Sequence, residues 1–319
     1  MIKPTILLSL LLATAAVAED LTAARKQVEA SLAAMNAVAH FDQAYAGTAN
    51  PKQMLDLYLP KTPKSDKPLP VIVFIHGGAW LNGDRITSTS VLRFVKTGDY
   101  AGVSISYRLS GEAKWPAQIQ DCKAAIRWIR GHAKEFNLDP EHIGVWGSSA
   151  GGHLVSLLGT SGGVKELEGD EGDFDDLSSR VTCVVNQCGP QDFKMALMYK
   201  DGAAVIEDPA VVGLIGGPVK DNEAKIVAAS PVTYVTADDA PFLHLHGTKD
   251  ERVSFAQAER IDASLKAAGV PSLLVPVVDG AHRLSHPGLA PLMDKFFRRY
   301  LLAQEVEITA GPLAPVAAK

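Results

Sequence analysis

A chain of 319 residues, 47% hydrophobic and 21% charged, carries enough apolar material for a large core, which excludes a disordered or fibrous protein. Its 31 basic and 36 acidic residues leave a net charge of -5 with no basic stripe, so no nucleic-acid partner is expected. No linker rich in proline, glycine and serine divides the chain, and a single α/β domain can hold this length.

Residues 1–18, MIKPTILLSLLLATAAVA, combine Lys3, an apolar run from Ile6 to Leu12 and the small residues Ala16 and Ala18, the pattern of a secretory signal cleaved after Ala18. A membrane span needs about 20 apolar residues, and Glu19, Asp20, Arg25 and Lys26 cut this run short. No cysteine nearby can take a lipid, so a secreted or periplasmic product without a membrane span is expected. Residues 19–49 read as an N-terminal helical segment, because Leu21, Ala24, Val28, Leu32 and Met35 recur at helical spacing on the way to His40.

From Gln53 onward, short β-type runs alternate with helical ones: MLDLYL, VIVFIH, GVSISY, HIGVWG, VTCVV, PFLHLH and LLVPVV. Helices are predicted over 117–136 and 256–268, the second stopped by Gly269 and Pro271. The alternation predicts an α/β domain over 50–304, a mainly parallel sheet flanked by helices on both faces. Two excursions, 162–179 and 200–228, are expected over the functional face. The acidic run EGDEGDFDD in the first invites a calcium reading, but its spacing matches no known calcium loop and solvated charge accounts for it, so no metal is expected. Cys122, Cys183 and Cys188 match no metal motif and allow at most one disulfide; Cys183, inside an apolar run, reads as a buried thiol. The tail 305–319 lacks periodicity and is expected to be disordered.

Gly147-Ser148-Ser149-Ala150-Gly151 fits G-x-S-x-G between a β-type run and a helical one. Such a strand-to-helix turn must be tight to expose Ser149 Oγ, which calls for glycine at 147 and 151. The start of the following helix, with the Ala150 amide, then faces any oxyanion formed there. The bland alternative is a glycine-rich turn with a passenger serine. Upstream, VIVFIH runs into Gly77, Gly78, Ala79 and Trp80, a turn whose amides would be further oxyanion donors. His76 reads as a hydrogen bonder fixing this loop, and Trp80 as a wall of the acyl pocket or a core aromatic.

A serine hydroxyl needs a base, and the base needs a carboxylate to orient it. Asp250, in GTKDERV after PFLHLH, and His282, in DGAHR after LLVPVV, stand at strand C-terminal ends in the order serine, acid, histidine. Asp238, Asp239 and Asp279 compete as acids. His153, one helical turn past Ser149, and His244 and His246, within a strand, read as structural, while His286 stays open as the rival base.

With HGGAWLNGDR, SISYRLS, WPAQIQDCKAAIRWIR, DPEHIGVWGSSAGGHL, CGPQDF, SPVTYV and HGTKDERV, residues 50–300 resemble the esterase and lipase branch of the α/β-hydrolases that includes acetylxylan and feruloyl esterases and hormone-sensitive-lipase-like enzymes. The resemblance implies Ser149 as nucleophile, Asp250 as acid and His282 as base. It also implies oxyanion amides from Gly78, from Gly77 or Ala79, and from Ala150. No cofactor is needed. The implied substrate is a short acyl or aryl ester, small or on an acetylated or feruloylated polysaccharide. Two departures stand out: HGGA in place of three glycines, and DGAHR in place of the commoner Gly-x-Gly-His, which could move His282. A serine peptidase and a silent binding module are the other readings. The first lacks an upstream propeller-sized domain in this sequence, and the second has no need of all three residues.

Overall fold

The computed structural model describes residues 22–200, 203–205, 207–309 and 311–315. The expected signal at 1–18 lies outside the described residues. The chain opens with helix α1 (residues 22–34), which ends where Asn36 takes a left-handed φ of 53°. Strand β1 (Ala37–Ala44) follows and pairs antiparallel with β2 (Met54–Pro60). The N-terminal segment is therefore part helix and part strand. The expected domain boundary at residue 50 falls inside a hairpin of the main sheet.

Next come β3 (Leu69–Ile75), the short α2 (Leu92–Val95), β4 (Ala101–Ile105), α3 (Ala117–Gly131), α4 (Ala133–Phe136), β5 (Leu138–Ser148), α5 (Ala150–Thr160), α6 (Lys165–Glu168) and β6 (Cys183–Gln187). The small pair β7 (Met198–Lys200) and β8 (Ala203–Val205) then leads to α7 (Pro209–Ile215) and α8 (Glu223–Ala228). Strand β9 (Phe242–Gly247), α9 (Phe255–Ala267), β10 (Ser272–Val277) and α10 (Leu289–Leu301) complete the chain. Eight strands form one sheet in the order β1-β2-β4-β3-β5-β6-β9-β10, parallel from β4 to β10, with β2 antiparallel to both its neighbours. All seven β-type runs of the sequence lie in this sheet.

Alternation along the strands sorts the core into two layers. Val71, Val73 and Ile75 face α3, α5 and α9 through Ile119, Ile126, Leu154, Leu157 and Ile261. Ile72 and Phe74 face α1, α2 and α10 through Val28, Leu92, Phe94, Phe296 and Phe297. Helices thus cover both faces, as the apolar runs require.

The two excursions part company. The first follows the C-terminal end of α5, the end opposite Ser149, and leads into the start of β6. Two of its acids, Glu168 and Glu171, are taken up by bases of α3 and the loop before it. Glu168 pairs with Lys123 at 2.7 Å and with Arg127 at 3.4 Å, and Glu171 pairs with Arg108 at 2.6 Å. This excursion starts and ends at the far edge of the sheet, but its middle runs along α3 to Glu171, which meets Arg108 in the loop after β4 at the C-terminal edge. The second does approach the functional edge: Asp208 pairs with Arg252 at 3.2 Å, and Leu214 O accepts from Trp115 N at 3.0 Å. The tail also departs from expectation. Leu313 bridges to Val277 in parallel, so part of it adds to the sheet edge. All three cysteines are free and buried.

Candidate active site

Strand β5 gives way to α5 across the single residue Ser149, whose φ of 56° and ψ of -120° are left-handed. A non-glycine residue held there stores on the order of 1–3 kcal/mol of strain. Glycine at the flanking positions permits the turn: a Cβ on Gly147 would overlap the Gly151 carbonyl, and one on Gly151 would overlap the carbonyl of Ile75. The turn is fixed from both sides, because Ser149 N donates to Gln187 O at 2.8 Å and Ser149 O accepts from His153 N at 3.0 Å.

His282 and Asp250 meet this serine. His282 Nε2 lies 2.9 Å from Ser149 Oγ, and its Nδ1 lies 2.8 Å from Asp250 Oδ2. The other carboxylate oxygen of Asp250 accepts the amides of Arg252 and Val253, each at 2.8 Å. Burial alone would raise the Asp250 pKa. The His246 and His282 rings and the Val253 amide outweigh it and hold the carboxyl well below the usual carboxylate range. An ionised carboxylate therefore sits behind a histidine that is partly open to solvent.

The departure DGAHR leaves His282 in reach because Asp279 itself adopts a left-handed φ of 57°. The base turn docks directly on the acid turn: Asp279 N donates to Thr248 Oγ1 at 2.9 Å, and Lys249 N donates to Gly280 O at 2.9 Å. The rival base His286 is engaged elsewhere, with Nε2 2.9 Å from Ala314 O and Nδ1 accepting the Gly288 amide at 3.0 Å. Among the competing acids, Asp238 and Asp239 bond Thr236, and Asp279 pairs with Lys249 at 2.7 Å.

Opposite His282, the loop after β3 packs on the serine turn, and a Cβ on Gly77 would lie 3.2 Å from Ser149 Cβ. Gly78, Ala79 and Trp80 all have positive φ, at 115°, 55° and 57°, and Leu81 N and Asn82 N close the turn on Gly78 O at 3.0 Å. Among the described residues, the amides of Gly77, Gly78, Ala79 and Ala150 donate to no other protein group. Ala150 follows Ser149 directly and the loop at Gly77 packs on the serine turn, so these unbonded donors adjoin the nucleophile. His76 fixes the loop as expected: Nδ1 bonds Gly77 O at 2.7 Å, the ring stacks on Tyr107 at 4.4 Å, and burial lowers its pKa to about 4.

Trp80 does not line a pocket. It is 2% exposed, its Nε1 donates to His153 Nδ1 at 3.2 Å, and its ring meets Phe193 edge-on at 5.7 Å. It is a core aromatic beneath the site. His153, bonded to Ala229 O at 2.7 Å, and His244, bonded to Asn186 at 3.1 Å, are structural.

Sequence reasoning missed His246, read as structural. Its Nε2 lies 2.8 Å from Val253 O and 3.3 Å from Asp250 Oδ2, so it closes the acid turn from below. The available signal was its place at the C-terminal end of its strand, four residues before Asp250. With Cys188 and Asp250 it forms a group that could geometrically hold a metal. These atoms are already engaged within the acid turn: Cys188 Sγ reaches Leu245 O at 3.7 Å, His246 Nε2 lies 2.8 Å from Val253 O, and Asp250 Oδ2 lies 2.8 Å from His282 Nδ1.

Fold and site together define an α/β-hydrolase whose serine, histidine and aspartate stand in hydrogen-bonded order at the C-terminal edge of the sheet. The chain belongs to the BD-FAE family, whose model matches residues 55–265. It is similar in structure to a truncated carbohydrate esterase from gut microbiota, with 32% identity, a TM-score of 0.75, and coverage of 83% of this chain and 96% of that one. A bifunctional GH43-CE protein of Bacteroides eggerthii is similar at 35% identity and a TM-score of 0.75, covering 82% of this chain and 35% of that one. Among curated relatives, Esterase LipQ of Mycobacterium tuberculosis is 30% identical over 238 residues, which are 74% of this chain and 55% of that protein. The chain thus spans about half the length of the curated relatives it matches.

Proposed function

We propose that this protein is a carboxylic ester hydrolase working through an acyl-serine intermediate. The observation that carries the reading is the relay from Ser149 Oγ through His282 to Asp250, at 2.9 and 2.8 Å, with unbonded amides at Ala150 and in the adjoining loop from Gly77 to Ala79. Ser149 Oγ attacks the ester carbonyl as His282 Nε2 takes its proton, and Asp250 holds the other ring nitrogen as N–H. The carbonyl oxygen becomes an oxyanion received by the amides of Gly78, of Gly77 or Ala79, and of Ala150. His282 then passes the proton to the departing alkoxide, leaving an acyl-serine. Water, deprotonated by the same histidine, attacks the acyl carbon; Ser149 takes the proton back and the acid departs. No cofactor enters these steps.

The substrate class is a short acyl or aryl ester, and an acetylated or feruloylated polysaccharide is the natural form we favour. Two facts support it: a carbohydrate esterase from gut microbiota is similar over nearly its whole length, and the export pattern of residues 1–18 suits an extracellular polymer. Secreted or periplasmic location belongs to this same proposal. The test compares the protein and its Ser149→Ala variant on nitrophenyl acetate, butyrate and octanoate, with folding checked by circular dichroism. Turnover lost in the variant and falling with acyl length is expected. Full activity in the folded variant would remove Ser149 from the mechanism.

A further inference from the structure

The oxyanion loop is strained, and strained segments persist only where the surroundings over-determine them. One end of the loop is β3, secured in the middle of the sheet. The other end is Arg85, which is 3% exposed and bonded by nearly every donor it has. Its Nε donates to Asp56 Oδ1 at 3.0 Å, its Nη1 to Pro51 O at 2.8 Å, and its backbone amide to Ser106 Oγ at 3.0 Å. Its Nη2 donates to Asp42 Oδ1. Between the two ends, Gly83 lies so close to the His76 ring and the Gly77 carbonyl that a Cβ there would overlap them. A shift of Arg85 would therefore reach Gly77 through Gly83.

Asp42 is placed for this contact at a cost. The β1–β2 register breaks between His40 and Gln43, and Asp42 takes a positive φ of 56°. Bulges bend a strand and re-aim a side chain, and this one turns the Asp42 carboxylate toward the loop. Its amide donates to Asp56 Oδ1 at 2.9 Å, and Arg25 of α1 bridges the two carboxylates at 2.8 and 3.2 Å. Two guanidinium groups and two carboxylates then balance in charge. Arg25 and Asp42 both precede the family match, which begins at residue 55.

We infer that the bulged N-terminal hairpin positions the oxyanion loop of the proposed ester hydrolase, with Asp42 as a positioning residue acting through Arg85 on Gly77 to Ala79. The inference rests on the catalytic reading above. Losing the Asp42 charge leaves two cations on one buried carboxylate and weakens the Nη2 contact of Arg85 to a hydrogen bond with a neutral acceptor, so the loop's outer end loosens while the Ser149, His282 and Asp250 relay stays intact.

The test uses Asp42→Asn, which tolerates the left-handed backbone, and Asp42→Glu as the charge-restoring variant. Each is assayed on nitrophenyl acetate beside the wild type and Ser149→Ala, with hydrogen exchange followed by mass spectrometry. We expect Asp42→Asn to lower kcat three- to tenfold with KM changed less than twofold and to speed exchange over 77–85 but not over 247–253. We expect Asp42→Glu to recover part of kcat. Unchanged kcat and exchange in Asp42→Asn would overturn the inference, as would a loss of kcat matched by faster exchange throughout the protein. An inactive wild type would instead sink the catalytic reading, and the exchange of 77–85 would still report whether Asp42 holds the loop.

Discussion

At the scale of single residues, the site is built on conformations that most side chains avoid. Ser149 is left-handed, so Ser149→Gly should remove backbone strain while deleting the nucleophile. A thermal midpoint raised by a few degrees, together with lost turnover, is the expected result, and a lowered midpoint would contradict the strain argument. The opposite holds at position 151, where a Cβ meets the Ile75 carbonyl and backbone cannot yield. Gly151→Ala should cost both activity and several degrees of midpoint, measured by activity and differential scanning calorimetry. The glycine requirement was legible because it rests on local chain chemistry, and Asp250 and His282 because each follows a β-type run in the order serine, acid, histidine. Trp80 and His246 were not, because which side of a buried ring faces the substrate or the acid depends on elements far away in sequence.

Individual elements show the same division. The seven β-type runs declared themselves by composition and by bounding turns, and the parallel sheet followed from their alternation with helices. Strand β1 stayed hidden because Met35 to His40 continues a plausible helical pattern; only Asn36, turning left-handed, ends the helix. The tail was equally unreadable, since Leu313 joins the sheet edge through backbone bonds that leave no periodic trace. His286, which bonds Ala314 O, should matter there and not in catalysis. His286→Ala is expected to leave kcat within twofold of wild type and to expose residues 305–315 to faster proteolysis. A large loss of kcat would return His286 to the list of candidate bases.

Across the whole molecule, the buried histidines tie stability to pH. Burial lowers His76 and His153 to about 4 and pushes His244 down as well. Unfolded, each takes a proton near pH 6.5, so between about pH 6.5 and 4 the unfolded chain binds more protons than the folded one. Stability therefore falls as pH drops through that window. The depressed Asp250 acts in the same sense at lower pH, its contribution being lost as the folded carboxyl is protonated. Urea midpoints at pH 7.0, 5.5 and 4.5 should decline stepwise, and equal midpoints would refute the assignment of neutral buried histidines. The architecture that buries them also brings the ends of β3, β5, β9 and β10 to one edge, where the three chemical roles converge.

The most direct measurement is of the covalent step itself. The protein is treated with diethyl nitrophenyl phosphate, digested and examined by mass spectrometry, beside Ser149→Ala and His282→Ala. The account predicts one diethylphosphoryl group on the peptide carrying Ser149, absent from Ser149→Ala, formed at least a hundredfold more slowly in His282→Ala, and appearing in step with the loss of esterase activity. Stoichiometric labelling on another residue, or equal rates with and without His282, would contradict it.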